Sequence, residues 1–151
     1  MRYLLDINLV IALMDPDHVF HQKAHDWWSK NGKPWASCPL TENGFVRITS
    51  SSAYSPSPSP SPSPSHTATV LEMTSRFADF ARNSDHEFWP DDFSITDRSL
   101  FDHNLVLSSK YLTDLYLLKL ASRNGGCLAT FDRNIPIGAI RQDATEALLI
   151  L

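Results

Sequence analysis

The sequence predicts a single α/β domain, with a mostly parallel central sheet flanked by helices on both faces. Three observations carry that prediction. Short apolar, strand-like runs alternate with segments of helical periodicity, the pattern of a parallel sheet buried on both sides. The chain has 151 residues, which suits one compact domain and leaves little room for a second. Its hydrophobic content of 42%, with 8 Phe, 4 Trp and 4 Tyr, is enough to fill a core. No internal repeat or domain boundary is evident, and residues 1–151 read as one unit.

The first strand is expected over residues 2–5, running directly into Asp6. A helical patch at 9–13 follows and ends at the turn Asp15-Pro16-Asp17. Phe20, Ala24, Trp27 and Trp28 recur at helical spacing, which predicts a helix over 18–30, with Gly32 just beyond its end. Residues 35–38 read as the second strand, and a helix is expected to start at Glu42 with Thr41 as its N-cap. Residues 55–65 are a strict Ser-Pro alternation. Proline at every second position removes backbone donors and forces extended conformations, so the segment is expected to be an exposed, polyproline-like loop. An amphipathic helix is expected over 67–82, with Val70, Leu71, Phe77 and Phe80 on its apolar side. A short strand at 87–89, a helical connection at 97–104 and a strong helix capped by Ser108 or Ser109 come next. That helix runs to Arg123 and is stopped by Gly125-Gly126. Strands at 127–131, ending at Asp132, and at 147–151 complete the pattern.

The charge balance narrows the function classes. Thirteen basic against 17 acidic residues give a net charge of −4, which excludes a protein that grips nucleic acid by bulk charge. Nucleic acid would have to be held locally, by a few Arg and Lys or by a metal that neutralises carboxylates. Cys38 and Cys127 sit in strand-like stretches and read as buried, reduced thiols. Asp6 and Asn8 break the apolar N-terminal run, so no signal peptide is expected, and no stretch suits a bilayer span. A soluble, cytoplasmic protein without a membrane contact is the expectation.

Four acids share a common address. In open α/β sheets ligands bind beyond the carboxyl ends of the strands. Asp6 and Asp132 directly follow strands, and Glu42 falls in the first turn of the helix after the second. Asp114 lies near the start of a helix with Leu118 and Ala121 on the same side, which places it at the margin of the core. A buried carboxylate without compensation costs several kcal/mol. Taken singly, each acid has a plain structural use: Asp6 as a helix cap, Glu42 against a helix dipole, Asp132 as a turn former. Together, without a matching cluster of bases, they would repel one another, and a divalent cation relieves that. All-oxygen ligands select Mg2+ or Mn2+, ions that serve phosphodiester hydrolysis by activated water.

The motifs that surround these acids resemble a known family. Leu4-Leu5-Asp6-Ile7-Asn8-Leu9-Val10 is similar to the opening of VapC-type PIN-domain ribonucleases, and Thr41-Glu42-Asn43-Gly44-Phe45-Val46-Arg47 to their second motif. Thr113-Asp114-Leu115-Tyr116-Leu117-Leu118 resembles the third and Ala129-Thr130-Phe131-Asp132 the fourth, so the likeness covers nearly the whole chain. The resemblance implies a Mg2+-dependent (or Mn2+-dependent) endoribonuclease toxin, usually a homodimer, acting on RNA and inhibited by a cognate antitoxin that buries a peptide in the site. It implies Asp6, Glu42, Asp114 and Asp132 as the acidic metal-binding and catalytic positions, with Asn8, Thr113 and Thr130 as hydrogen-bonding neighbours. Arg47 is a candidate phosphate contact or a structural ion pair. The Ser-Pro insertion departs from the family pattern and bears on substrate access and antitoxin docking.

Two rivals are weighed beside it. A phospho-aspartyl phosphatase using Asp6 would want a second Asp where Asn8 stands, and a phosphate-binding lysine after a strand, which is missing. A non-catalytic binding module of the same fold would not need all four acids. His18, His21 and His25 read as a solvated face, and the Trp27-Trp28 pair as core plus a dimer or partner contact.

Overall fold

The structure, a computed structural model, describes residues 1–31, 34–54, 67–142 and 144–151. The expectations for Gly32 and for the Ser-Pro segment at 55–65 lie outside the described residues. In chain order the elements are β1 (Tyr3–Leu5), α1 (Ile7–Met14), α2 (His21–Asn31), β2 (Pro34–Ser37) and α3 (Pro39–Thr49). Then follow α4 (Val70–Arg82), β3 (Asp85–Phe88), α5 (Leu112–Arg123), β4 (Cys127–Thr130) and β5 (Leu148–Ile150).

The strands form one sheet in the order β3-β2-β1-β4-β5, and every pairing is parallel. Chain order runs outward from β1 to β2 and β3 on one side, and to β4 and β5 on the other. The topological switch point therefore falls between β1 and β4. Side chains alternate across the pleat. Leu5, Trp35 and Ala129 face one way, where Leu9 and Val10 of α1, Ala24 of α2, Phe45 of α3 and Phe77 of α4 cover them. Leu4, Ala36 and Leu128 face the other way, against Leu115 and Leu118 of α5 and against Trp89 and Phe101 from the long β3–α5 connection. Both faces are covered, as expected for an α/β domain.

Arg2 ties the opposite edge of the sheet together. Its guanidinium donates to the Trp35 carbonyl at 2.9 Å and pairs with Asp85 at 2.9 Å and Glu87 at 2.8 Å, spanning from β1 to β3. Both cysteines are free and buried, as expected. No helix among the described residues is long and apolar enough to cross a membrane.

Several local expectations are corrected. The third helix begins at Pro39, three residues before Glu42, because proline at the first helical position has a suitable φ and its missing N–H is not needed there. Thr41 is consequently inside the first turn, and its Oγ1 accepts from the Cys38 backbone N at 2.9 Å rather than capping from outside. On α4, Val70 and Leu71 are 60% and 76% exposed, and Met73 and Phe77 carry the buried side. The stretch 97–104 is helical only at its end, where a 3-10 turn spans His103–Leu105; before it come turns, with Phe101 bridging Ile140. Ser108 caps a 3-10 turn (Ser109–Tyr111) that precedes α5 rather than α5 itself. Of the three histidines, His25 is exposed and His18 and His21 are half-buried, and two of them have a further use: His21 Nδ1 lies 2.8 Å from the Ala12 carbonyl and His25 Nε2 2.9 Å from that of Leu13, closing the carboxyl end of α1.

Candidate active site

The switch point puts β1 and β4 side by side, with Leu5 opposite Ala129. The ladder continues one step, the Asp6 N–H donating to the Ala129 carbonyl at 3.1 Å. Asp6 therefore stands beside Thr130, on the side of the sheet that α5 covers. Thr130, fully buried, joins two acids through one hydroxyl. Its Oγ1 donates to Asp6 Oδ2 at 2.8 Å and accepts from the Asp132 N–H at 3.0 Å. Asp6 is buried, and its Oδ1 also accepts from the Ile7 N–H at 2.6 Å, which caps α1. Asp132 Oδ1 accepts from the Asn134 N–H at 2.7 Å. The plain structural uses of these two residues thus coexist with their place at the edge.

Asp114 completes the group from α5, where it lies in the first turn. Among the described residues nothing donates to its carboxylate. Burial, and then the charges of Asp6 and Asp132, push its carboxyl up from 3.8 to about 7. Asp6 is also raised, first by burial and more weakly by Asp132, while Thr130 and the Ile7 N–H act in the opposite direction. Asp114 is thus within electrostatic reach of both Asp6 and Asp132, and Asp6 of Asp132, which brings together three carboxyls from the ends of β1 and β4 and from α5.

Glu42 emerges at the same edge, but after β2, one strand removed from the switch point. Its Oε1 accepts from Ser37 Oγ at 2.6 Å, and Ser37 Oγ lies 2.8 Å from His86 Nε2 on β3. Among the described residues no group of three or more His, Cys, Asp or Glu side chains is gathered closely enough to hold a metal ion as it stands. The chemistry of the donor set nonetheless suits a hard dication: oxygen ligands only, with uncompensated repulsion at Asp114.

The neighbours expected from sequence separate. Thr130 meets the acids, whereas Asn8 and Thr113 are exposed and make no hydrogen bond to them among the described residues. Arg47 is exposed in the last turn of α3 and forms no ion pair among the described residues. It lies five positions after Glu42, about 140° further round the helix.

Other side chains near the acids are not among the expected site residues. Phe20 stacks on Phe131, the residue before Asp132, with centroids 4.7 Å apart, and Lys23 Nζ lies 5.9 Å from the Phe131 ring. Lys110 Nζ lies 4.7 Å from the Tyr111 ring at the approach to α5. Trp27 and Trp28 instead pack inward, Trp27 edge-on to Tyr3 and Trp28 against Trp35 and Phe80. Among the described residues only the stack beside Asp132 involves a ring next in sequence to a site acid, and the helical spacing of Phe20 does not indicate that partner.

A wholly parallel sheet with acidic side chains at its carboxyl edge is the arrangement of a PIN-type α/β domain. The chain is 40% identical to Ribonuclease VapC44 of Mycobacterium tuberculosis over 142 residues, covering 93% of this chain and 92% of that protein. It is 38% identical to Ribonuclease VapC39 of the same organism over 87% of this chain and 89% of the relative. Ribonuclease VapC38 is 33% identical over 87% of this chain and 86% of its own length. The protein belongs to the VapC family of PIN-domain ribonucleases. No family model matches the chain.

Proposed function

We propose that the protein is a Mg2+- or Mn2+-dependent endoribonuclease, the toxin of a toxin–antitoxin pair. The observation that carries the reading is Asp114: a half-buried carboxyl, raised to about 7 by burial and by Asp6 and Asp132, without a donor of its own among the described residues. The relatives named as ribonucleases support the substrate class.

In this reading Asp6, Asp114 and Asp132 hold the ion, with Glu42 at its flank. The bound cation would supply charge neutralisation to the phosphate and to the oxygen that departs when water attacks phosphorus. The chain's own contribution is preorganisation. Thr130 fixes the Asp6 carboxylate and the Asp132 backbone in one hydrogen-bonded unit, so two acids keep their relative position through the reaction. Asp114 is delivered by a helix whose first turn points at the same edge, and its side chain has no competing hydrogen bond to break before it turns inward. No Ser, Cys or His nucleophile is needed for direct attack by water.

An antitoxin partner follows from the family, and a homodimer in the cytoplasm is part of the same proposal. Exposed Val70 and Leu71 on α4, and Leu105 and Leu107 before α5, offer apolar surface for such contacts.

Cleavage of RNA is expected with Mg2+ or Mn2+ and not with a chelator. Asp6→Asn and Asp114→Asn are each expected to lower the rate by at least about a hundredfold while the circular dichroism stays that of the parent. An unchanged rate in either folded variant, or full activity in chelator, overturns the reading.

A further inference from the structure

Glu42 does not hang free at the edge. Its Oε1 accepts a 2.6 Å hydrogen bond from Ser37, a fully buried residue at the end of β2. Ser37 has one proton, and a carboxylate can only accept, so that proton goes to Glu42. The 2.8 Å contact between Ser37 Oγ and His86 Nε2 must then be a bond that His86 donates. The imidazole consequently carries its proton on Nε2, and the chain reads His86 to Ser37 to Glu42.

The imidazole is itself held. Its centroid lies 4.4 Å from that of Trp35 and 6.5 Å from that of Phe77, and the Trp35 indole is anchored by donating to Ser84 Oγ at 2.8 Å. The parallel register between β2 and β3, with Trp35 opposite His86, brings these side chains to one face of the sheet. Four acids occupy this edge, none of them on β3, yet β3 reaches the site through this relay.

We propose that Ser37 and His86 are positioning residues for Glu42, fixing its carboxylate through a two-bond relay across three elements. The relay occupies Oε1 and leaves Oε2 without a donor among the described residues, as the oxygen available to the reaction. A glutamate has several rotamers of similar energy, and one bond to a fully buried hydroxyl, itself bonded to a packed ring, selects one of them. The proposal rests on Glu42 being a functional acid, so the experiment tests both separately.

Four variants suffice: Glu42→Gln, His86→Phe, His86→Gln and Ser37→Ala. They are compared by kcat and KM on RNA and by the Mn2+ dissociation constant. Glu42→Gln is expected to lose activity. His86→Phe keeps the ring packing and removes the donor. It is expected to lower kcat and weaken Mn2+ binding, each by about 10- to 100-fold, with KM little changed. His86→Gln can donate from a similar position and is expected to recover most of that loss. Ser37→Ala cuts the relay at its other end with little change in volume and is expected to match His86→Phe, which keeps the test standing if that variant does not fold. In the metal-free wild-type protein, nitrogen NMR is expected to show His86 as the Nε2–H tautomer.

A wild-type-like Glu42→Gln sinks the role of Glu42 and the relay with it. An inactive Glu42→Gln beside wild-type-like His86→Phe and Ser37→Ala sinks the relay alone. Equal impairment of the Phe and Gln variants of His86, or an Nδ1–H tautomer, also overturns the relay and leaves His86 a packing residue.

Discussion

Asp114 has no hydrogen-bond donor among the described residues to offset its burial, and its protonation makes folding and ion binding depend on pH. Its carboxyl is raised from 3.8 to about 7, by burial first and by Asp6 and Asp132 after that. A folded-state value above the unfolded one means that folding takes up a proton between those two limits. Stability contributed by the protonated form is fully present below 3.8, falls as pH rises through the window, and levels off above about 7. Without added metal, Asp114→Asn is therefore expected to be more stable than the parent at pH 8 by about 1 kcal/mol, or about 2–4 °C in melting temperature for a chain of this size. The same variant is expected to be close to the parent at pH 4. A cation competes with that proton. Mn2+ binding to the parent is expected to tighten by up to about tenfold per pH unit below 7 and to change little above it, read by titration calorimetry. A flat binding profile across that range would remove Asp114 from the ligand set.

At the scale of the elements, the close approach of β4 to its neighbours constrains a glycine. Gly125 closes α5 with φ 64°, a conformation that favours glycine, and Gly126 enters β4. A Cβ on Gly126 would lie 2.5 Å from the Trp89 ring and 2.7 Å from the Arg2 carbonyl, and the second of these is backbone that cannot step aside. Gly126→Ala is expected to destabilise the fold by about 2–3 kcal/mol in chemical denaturation. Because β4 carries Thr130, the same substitution is expected to loosen the Asp6–Thr130–Asp132 unit and lower activity. The helix termini show similar logic. His21 and His25 close the end of α1 whose start Asp6 caps, so the first helix is held at both ends by side chains; the cap at Asp6 is the one expected from sequence, and the two histidine contacts are not.

For the whole molecule, a net charge of −4 means that an anionic RNA must be retained by a few well-placed groups. Lys23 beside the Phe20–Phe131 stack and Lys110 beside Tyr111 are two such cation–aromatic pairs near the acids, and Arg133 follows Asp132 directly. Lys23→Ala and Lys110→Ala are each expected to raise KM for RNA several-fold with kcat nearly unchanged, and to reduce the salt dependence of binding by about one charge. Equal KM values at low salt would exclude these lysines from the substrate path. Relief of carboxylate repulsion is also expected at this scale: millimolar Mn2+ should raise the melting temperature of the parent and leave that of Asp6→Asn nearly unmoved.

Much of this was legible in the chain itself. The order of strands and helices follows from apolar periodicity, which is local, and Asp6 and Asp132 were placed at the carboxyl edge by their position directly after strands. Errors clustered where local signals compete. Thr41 reads as an N-cap when it lies inside a first turn that Pro39 opens, and Val70 and Leu71 read as the apolar side because hydropathy does not say which side of α4 meets a partner helix. Three matters were decided by the tertiary structure alone. Strand order put the switch point between β1 and β4, which sets Asp6 beside Thr130 and separates the Asp6, Asp114 and Asp132 group from the fourth acid of that edge. It left Glu42 one strand away, in the hands of Ser37 and His86. It also stacked Phe20 on a ring more than a hundred positions later in the chain. The physical reason is the same in each case: propensity and capping act over a few residues, whereas strand pairing and the alternation of the pleat relate side chains that have no sequence relation.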